Sequence, residues 1–216
     1  MSLDDSLLDE NIKPSMSTMK GFAYPLEFEF KISSLANDFT ARDANGQTVA
    51  YVRQKMFKFK EAISVYSNGS KQDVLYTIGA DRVIDFNANY EFKNQDGVAF
   101  GRVGRRGVKS ILKAHYEVFD LEGEQEFLIQ EENPWTKFWD ALLCEVPLLG
   151  MFSGYFFNPR YIVKRQDNTE VTRLSKQASF WGRRFKLEKL SDTSDGEDER
   201  ILLALMMMTL LERRRG

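Results

Sequence analysis

The chain has 216 residues, 43% hydrophobic and 29% charged, the balance of a globular protein with a real core. Its net charge of −2 supplies no global positive field, so no nucleic-acid partner is expected and anion binding would need a local patch. One cysteine, Cys144, and one histidine, His115, exclude an internal disulfide and a Cys/His zinc site, and they suit a reducing, cytoplasmic compartment.

The opening "MSLDDSLLDENIKPSMSTMK" lacks a basic region followed by an apolar one, so it does not read as a secretory signal. It predicts a polar, disordered arm over residues 1–21, with a single domain over 22–216.

From Phe22 onward one pattern recurs, an aromatic-rich strand, a polar turn and a second strand. The turns fall at Asn45-Gly46, Asn68-Gly69, Asp96-Gly97, Glu122-Gly123 and Asp167-Asn168. Asn-Gly and Asp-Gly favour the positive φ of tight hairpins. Period-2 alternation supports this, with Tyr116 and Val118 on one face of a strand and Phe127 and Ile129 on the facing one. "LEFEFKIS" and "SFWGRRFKLEKL" add strands at either end, for about twelve in all. A meander of that size closes into a barrel, because closure removes exposed edges. His115 lies within a strand beside Tyr116 and reads as a packed or surface residue, not a catalytic base.

Between the fourth and fifth hairpins, "NPWTKFWDALLCEV" places Trp135, Phe138, Trp139, Leu142, Leu143 and Val146 at helical spacing. Asn133 can cap this amphipathic helix, Pro134 can occupy its first position, and Pro147 ends it. Its polar side, with Thr136, Lys137, Asp140 and Glu145, favours packing on the barrel over a bilayer.

The most apolar stretch is "ILLALMMMTLL", residues 201–211. At 1.5 Å per residue it spans roughly 17 Å, well short of the ~30 Å hydrocarbon core, so no transmembrane span is expected. A helix apolar on every side belongs in the middle of a core. An eight-stranded barrel holds side chains or one small ligand, whereas about twelve strands enclose a lumen that this helix would fill.

The repeated turns of "YEVFDLEGEQEF", the stretch "EVTRLSKQASFWGRRFK" and the terminal "DERILLALMMMTLL" resemble the tubby C-terminal-like group. Within it, the chain is most similar to phospholipid scramblases and LURP-one-related proteins, over roughly residues 22–216. The resemblance implies a mainly β fold, a closed antiparallel barrel around a buried C-terminal helix. It also implies three roles: binding of anionic phospholipid headgroups, movement of lipid between leaflets, or protein interaction without lipid. The first is the principal expectation, at the inner membrane surface.

For headgroups, "GRVGRRGVKSILK" offers Arg102, Arg105, Arg106, Lys109 and Lys113 with no acid between Asp96 and Glu117. Gly104 and Gly107 bracket two arginines, which predicts a hairpin tip with exposed guanidinium groups able to hold phosphate. "WGRRFK" offers a second basic point at Arg183, Arg184 and Lys186. The acidic "SDTSDGEDER" lacks the alternating ligands and terminal Glu of a calcium loop, so Asp192 and Asp195 read as a solvated loop. No Gly-rich phosphate loop, metal-ligand spacing or nucleophile elbow occurs. The expectation is a non-enzymatic module with no catalytic residue, metal or cofactor.

Overall fold

The computed structural model of the chain describes residues 19, 21–31, 37–55, 62–84, 87–106, 115–132, 159–177 and 184–213. The strands are β1 (Leu26–Phe30), β2 (Asn37–Arg42), β3 (Thr48–Lys55), β4 (Ala62–Tyr66), β5 (Val74–Ile84) and β6 (Asn87–Asn94). They continue as β7 (Ala99–Arg106), β8 (His115–Phe119), β9 (Gln125–Glu131), β10 (Arg160–Arg165), β11 (Glu170–Gln177) and β12 (Arg184–Lys189). One helix, α1 (Asp195–Arg213), follows. Each strand pairs antiparallel with its neighbours in the chain, and β1 pairs with β12 to close a barrel of twelve. The closed antiparallel barrel expected from the sequence is therefore the observed fold.

The walls follow from alternation. In "LEFEF" of β1, Leu26, Phe28 and Phe30 are buried while Glu27 and Glu29 are exposed. Across β8 and β9, Tyr116 faces Ile129 and Val118 faces Phe127, all four fully buried. The inward aromatics meet one another: Phe39 lies 5.3 Å from Phe28 and 4.8 Å from Phe30, and Phe100 lies 5.1 Å from Tyr76.

Short turns join alternate pairs of strands at one end of the barrel. Three share an Asp or Asn followed three residues later by glycine at positive φ: Asp43/Gly46 (77°), Asn94/Gly97 (77°) and Asp120/Gly123 (87°). In the first, the Asp43 carboxylate Oδ1 accepts the Asn45 and Gln47 amides, both at 2.9 Å. In the second, Asn94 Oδ1 accepts the Asp96 amide at 3.0 Å and the Val98 amide at 2.9 Å. The side chain thus satisfies amides that the tight reversal leaves without strand partners. In the fifth hairpin Asn168 takes the left-handed position at φ 68°. The Asn68-Gly69 hairpin departs from expectation, since the positive φ falls on Lys71, at 62°, in a wider loop closed by the Ser67 amide on the Asp73 carbonyl. The amphipathic helix expected over 133–146 lies outside the described residues, as do residues 1–18.

Lys189 at the end of β12 pairs with Thr172 near the start of β11, so α1 begins at the short-turn end. Its start is a reciprocal cap. The Ser194 amide donates to Glu197 Oε2 at 2.8 Å, and the Glu197 amide donates to Ser194 Oγ at 3.4 Å. Asp195, Glu197 and Asp198 occupy the first turn, where the helix dipole favours negative charge. Every residue from Ile201 to Met208 is 0% exposed, so this stretch of the helix has no solvent face. Those side chains form one continuous core with the inward residues of the walls, among them Phe28, Phe39, Phe92 and Phe127. Thr209, its lone polar side chain within 201–211, donates to the Leu205 carbonyl one turn back at 2.6 Å and stays satisfied without water.

Candidate functional site

The structure separates the basic residues that the sequence groups together. Arg102, Arg105 and Arg106 all belong to β7 and not to a hairpin tip. Register decides their directions. Val103, opposite Val118 and fully buried, faces inward, and Arg105 two residues on shares that phase opposite the fully buried Tyr116. Arg105 is therefore a half-buried interior residue, which corrects the expectation of an exposed guanidinium there. Gly104 marks a close approach within the strand, since a Cβ there would stand 2.9 Å from Asn89 Oδ1.

Arg102 takes the opposite phase and is exposed, with its guanidinium carbon 4.7 Å from the centroid of the Phe119 ring. Such a contact contributes about 0.5–1 kcal/mol at a surface and holds the flat group against the wall. Arg106 pairs with Asn87 in the backbone register. Lys109 and Arg183 lie outside the described residues. Arg184 opens β12, exposed, with Nη2 2.9 Å from Glu29 Oε1 across the closing seam. Four strands separate β7 from β12 one way around the barrel and six the other, so the two basic stretches face nearly opposite directions. They do not make one patch.

A polar collar around the start of α1 is what sequence reasoning missed. Arg200, 8% exposed, donates from Nε and Nη2 to the two carboxylate oxygens of Glu126, both at 2.6 Å. Arg165 donates to Glu197 and, at 3.1 Å, to the Asp192 carbonyl. Glu199, 1% exposed, accepts the Tyr76 hydroxyl at 2.5 Å and the Met19 amide at 2.8 Å. Asp198 accepts from Tyr24, Lys189 and Thr193. Burial first, then the Asp198 charge and its hydrogen bond, push the Tyr24 hydroxyl far above its ordinary range. The capping pair was legible in "SDGE"; the partners on other strands carried no local signal.

A second polar site lies on β3. Tyr51, 1% exposed, donates its hydroxyl to Asp38 Oδ2 at 2.6 Å, with Lys31 and Lys71 at 4.8 and 5.3 Å from its ring centroid. Burial and the Asp38 hydrogen bond push its hydroxyl up to about 12.

Among the described residues no group of three or more His, Cys, Asp or Glu is arranged to hold a metal ion. Asp192 lies exposed just before α1, and Asp195 is the first residue of the helix, so it is not part of the loop expected there. No described helix is long and apolar enough to cross a membrane. No family model, no curated protein and no solved structure matches the chain.

Proposed function

We propose that the chain is a non-enzymatic module of the tubby C-terminal-like kind, similar to the LURP-one-related and scramblase-like proteins. In this reading α1 runs through the barrel as its filler, and the outer wall binds anionic phospholipid headgroups at the cytoplasmic membrane surface. The observation that carries it is a closed barrel of twelve strands together with a C-terminal helix buried on every side. Such a helix cannot lie on an outer wall without a solvent face, and twelve strands enclose more space than their own side chains fill.

Arg102 supports the headgroup part of the reading. It is exposed, held flat on Phe119, and forms no ion pair among the described residues, so its donors are available to a phosphate. Arg184 is a weaker candidate, because it already pairs with Glu29. Cosedimentation with vesicles tests this. Binding should require anionic lipid in a phosphatidylcholine background and should fall with salt. Arg102→Ala should weaken it severalfold while leaving the melting profile within about 1 °C. Absence of binding at low salt, or equal binding to neutral vesicles, would leave protein interaction as the better account.

A further inference from the structure

Arg105 is an interior arginine whose binding edge has no partner among the described residues. Nε and Nη2 are both buried, and neither has a hydrogen-bond partner there. These two N–H groups lie side by side on one edge of the planar guanidinium, the fork that matches two coplanar oxygens of a carboxylate or phosphate. The same protein shows what that edge does when matched, for Arg200 uses its own Nε and Nη2 to grip Glu126 at 2.6 Å twice. Leaving a buried, charged fork without an acceptor is costly, and protein interiors rarely do so.

The charge of the fork sets the kind of acceptor. Arg105 brings one positive charge beside Tyr116, which is fully buried and opposite it in the register, so an anionic oxygen pair is the match. Arg105 is next to last in β7, at the end opposite the short turns, and is half-buried.

We propose that Arg105 is an interior oxyanion site, taking a carboxylate or phosphodiester group on its Nε–Nη2 edge. This goes beyond headgroup binding on the outer wall and does not depend on it, and the test uses no vesicles.

The experiment is a titration of the full chain, in a buffer free of carboxylate and phosphate, followed through the arginine Nε–H signals in proton–nitrogen correlation spectra. Arg105→Lys, which keeps the charge and loses the fork, identifies the Arg105 signal by its disappearance. Acetate and diethyl phosphate are the two probes. A saturable shift of that signal with acetate alone assigns a carboxylate source, with diethyl phosphate alone a phosphodiester source, and with both the shared chemistry. No saturable shift with either probe overturns the proposal. A melting comparison guards against a poorly folded lysine variant. Arg105→Gln should melt above wild type without anion, whereas a saturating effective probe should raise wild type by several degrees and the variant not at all. Equal gains in both proteins would also overturn it.

Discussion

The side chain of Arg200 crosses Gly101 so closely that a Cβ on the glycine would stand 2.7 Å from Arg200 Cδ. The Phe119 carbonyl oxygen would lie 2.9 Å from the same point, and unlike a flexible side chain it belongs to the neighbouring strand. Gly101 also holds φ at 155°, outside the range L side chains adopt readily. Gly101→Ala should therefore displace the Arg200–Glu126 pair and cost about 2–4 kcal/mol. Chemical denaturation reads that loss directly, and a variant within about 0.5 kcal/mol of wild type would contradict the tight passage.

Tyr76→Phe removes a donor from the buried Glu199 Oε1 and leaves the Met19 amide. Hydrogen bonds to a charged group contribute about 1.5–3 kcal/mol, and the expected loss lies in that range. Urea denaturation should show it as a lowered midpoint with an unchanged slope.

Deleting residues 197–216 removes Ile201–Leu211 from the core. Each large aliphatic side chain contributes about 1.5–3 kcal/mol on burial, so together they exceed the ~5–15 kcal/mol that holds a typical domain folded. The truncated chain should fail to accumulate as a folded protein. Leu205→Ala is the graded version, with an expected cost of about 2–5 kcal/mol by denaturation.

Acid should loosen the collar in a defined direction. Burial pulls the Glu197 carboxyl upward, but the hydrogen bond and charge of Arg165 and the Ser194 cap outweigh it, so it sits below its ordinary value. At Asp43 desolvation also acts upward, and the Gln47, Ala23 and Asn45 amides overcome it. Both groups hold protons less tightly folded than unfolded, so their stabilisation is complete above the ordinary carboxylate range, about pH 4. It is lost as pH falls through the lower folded values. Melting temperature should be level near neutrality and drop below about pH 4, and Arg165→Gln should melt lower at neutral pH with a shallower acid slope.

Lipid movement between leaflets needs a polar path through ~30 Å of hydrocarbon or a strong local distortion of the bilayer. Among the described residues no helix is long and apolar enough to cross, and the most apolar segment is committed to the core. Purified protein in liposomes should leave dithionite quenching of a fluorescent lipid at the outer-leaflet plateau, with or without calcium. Quenching well beyond it in intact vesicles would favour the scramblase-like reading.

The walls and turns were legible because their signals are local. Alternation in "LEFEF" and the Asp/Asn-to-glycine turns state their conformation within a few residues. The basic strand was not. In "GRVGRRG" the glycines suggest a turn, yet Gly101 and Gly104 serve close approach inside a strand, against Arg200 and Asn89. A strand glycine that makes room gives the same local signal as one that turns, and only the distant partner tells them apart. The collar was hidden for the same reason, with Arg200 and Glu126 74 residues apart and Tyr76 and Glu199 123 apart.

The seam between β1 and β12 carries a consequence for how the molecule becomes a closed one. The other strand interfaces join neighbours in the chain, and those with short turns can form as fast local hairpins, whereas the seam must bring Leu26 to Leu187. Until it does, two bare edges are exposed, and their outer faces carry opposite charge. Glu27 and Glu29 on β1 meet Lys186 and Arg184 on β12. Like edges of two copies repel, so the pairing that succeeds is heterotypic. That code does not distinguish a strand's own partner from the equivalent strand of a second molecule. Dilution favours the ring, and crowding during refolding favours head-to-tail strings of open barrels.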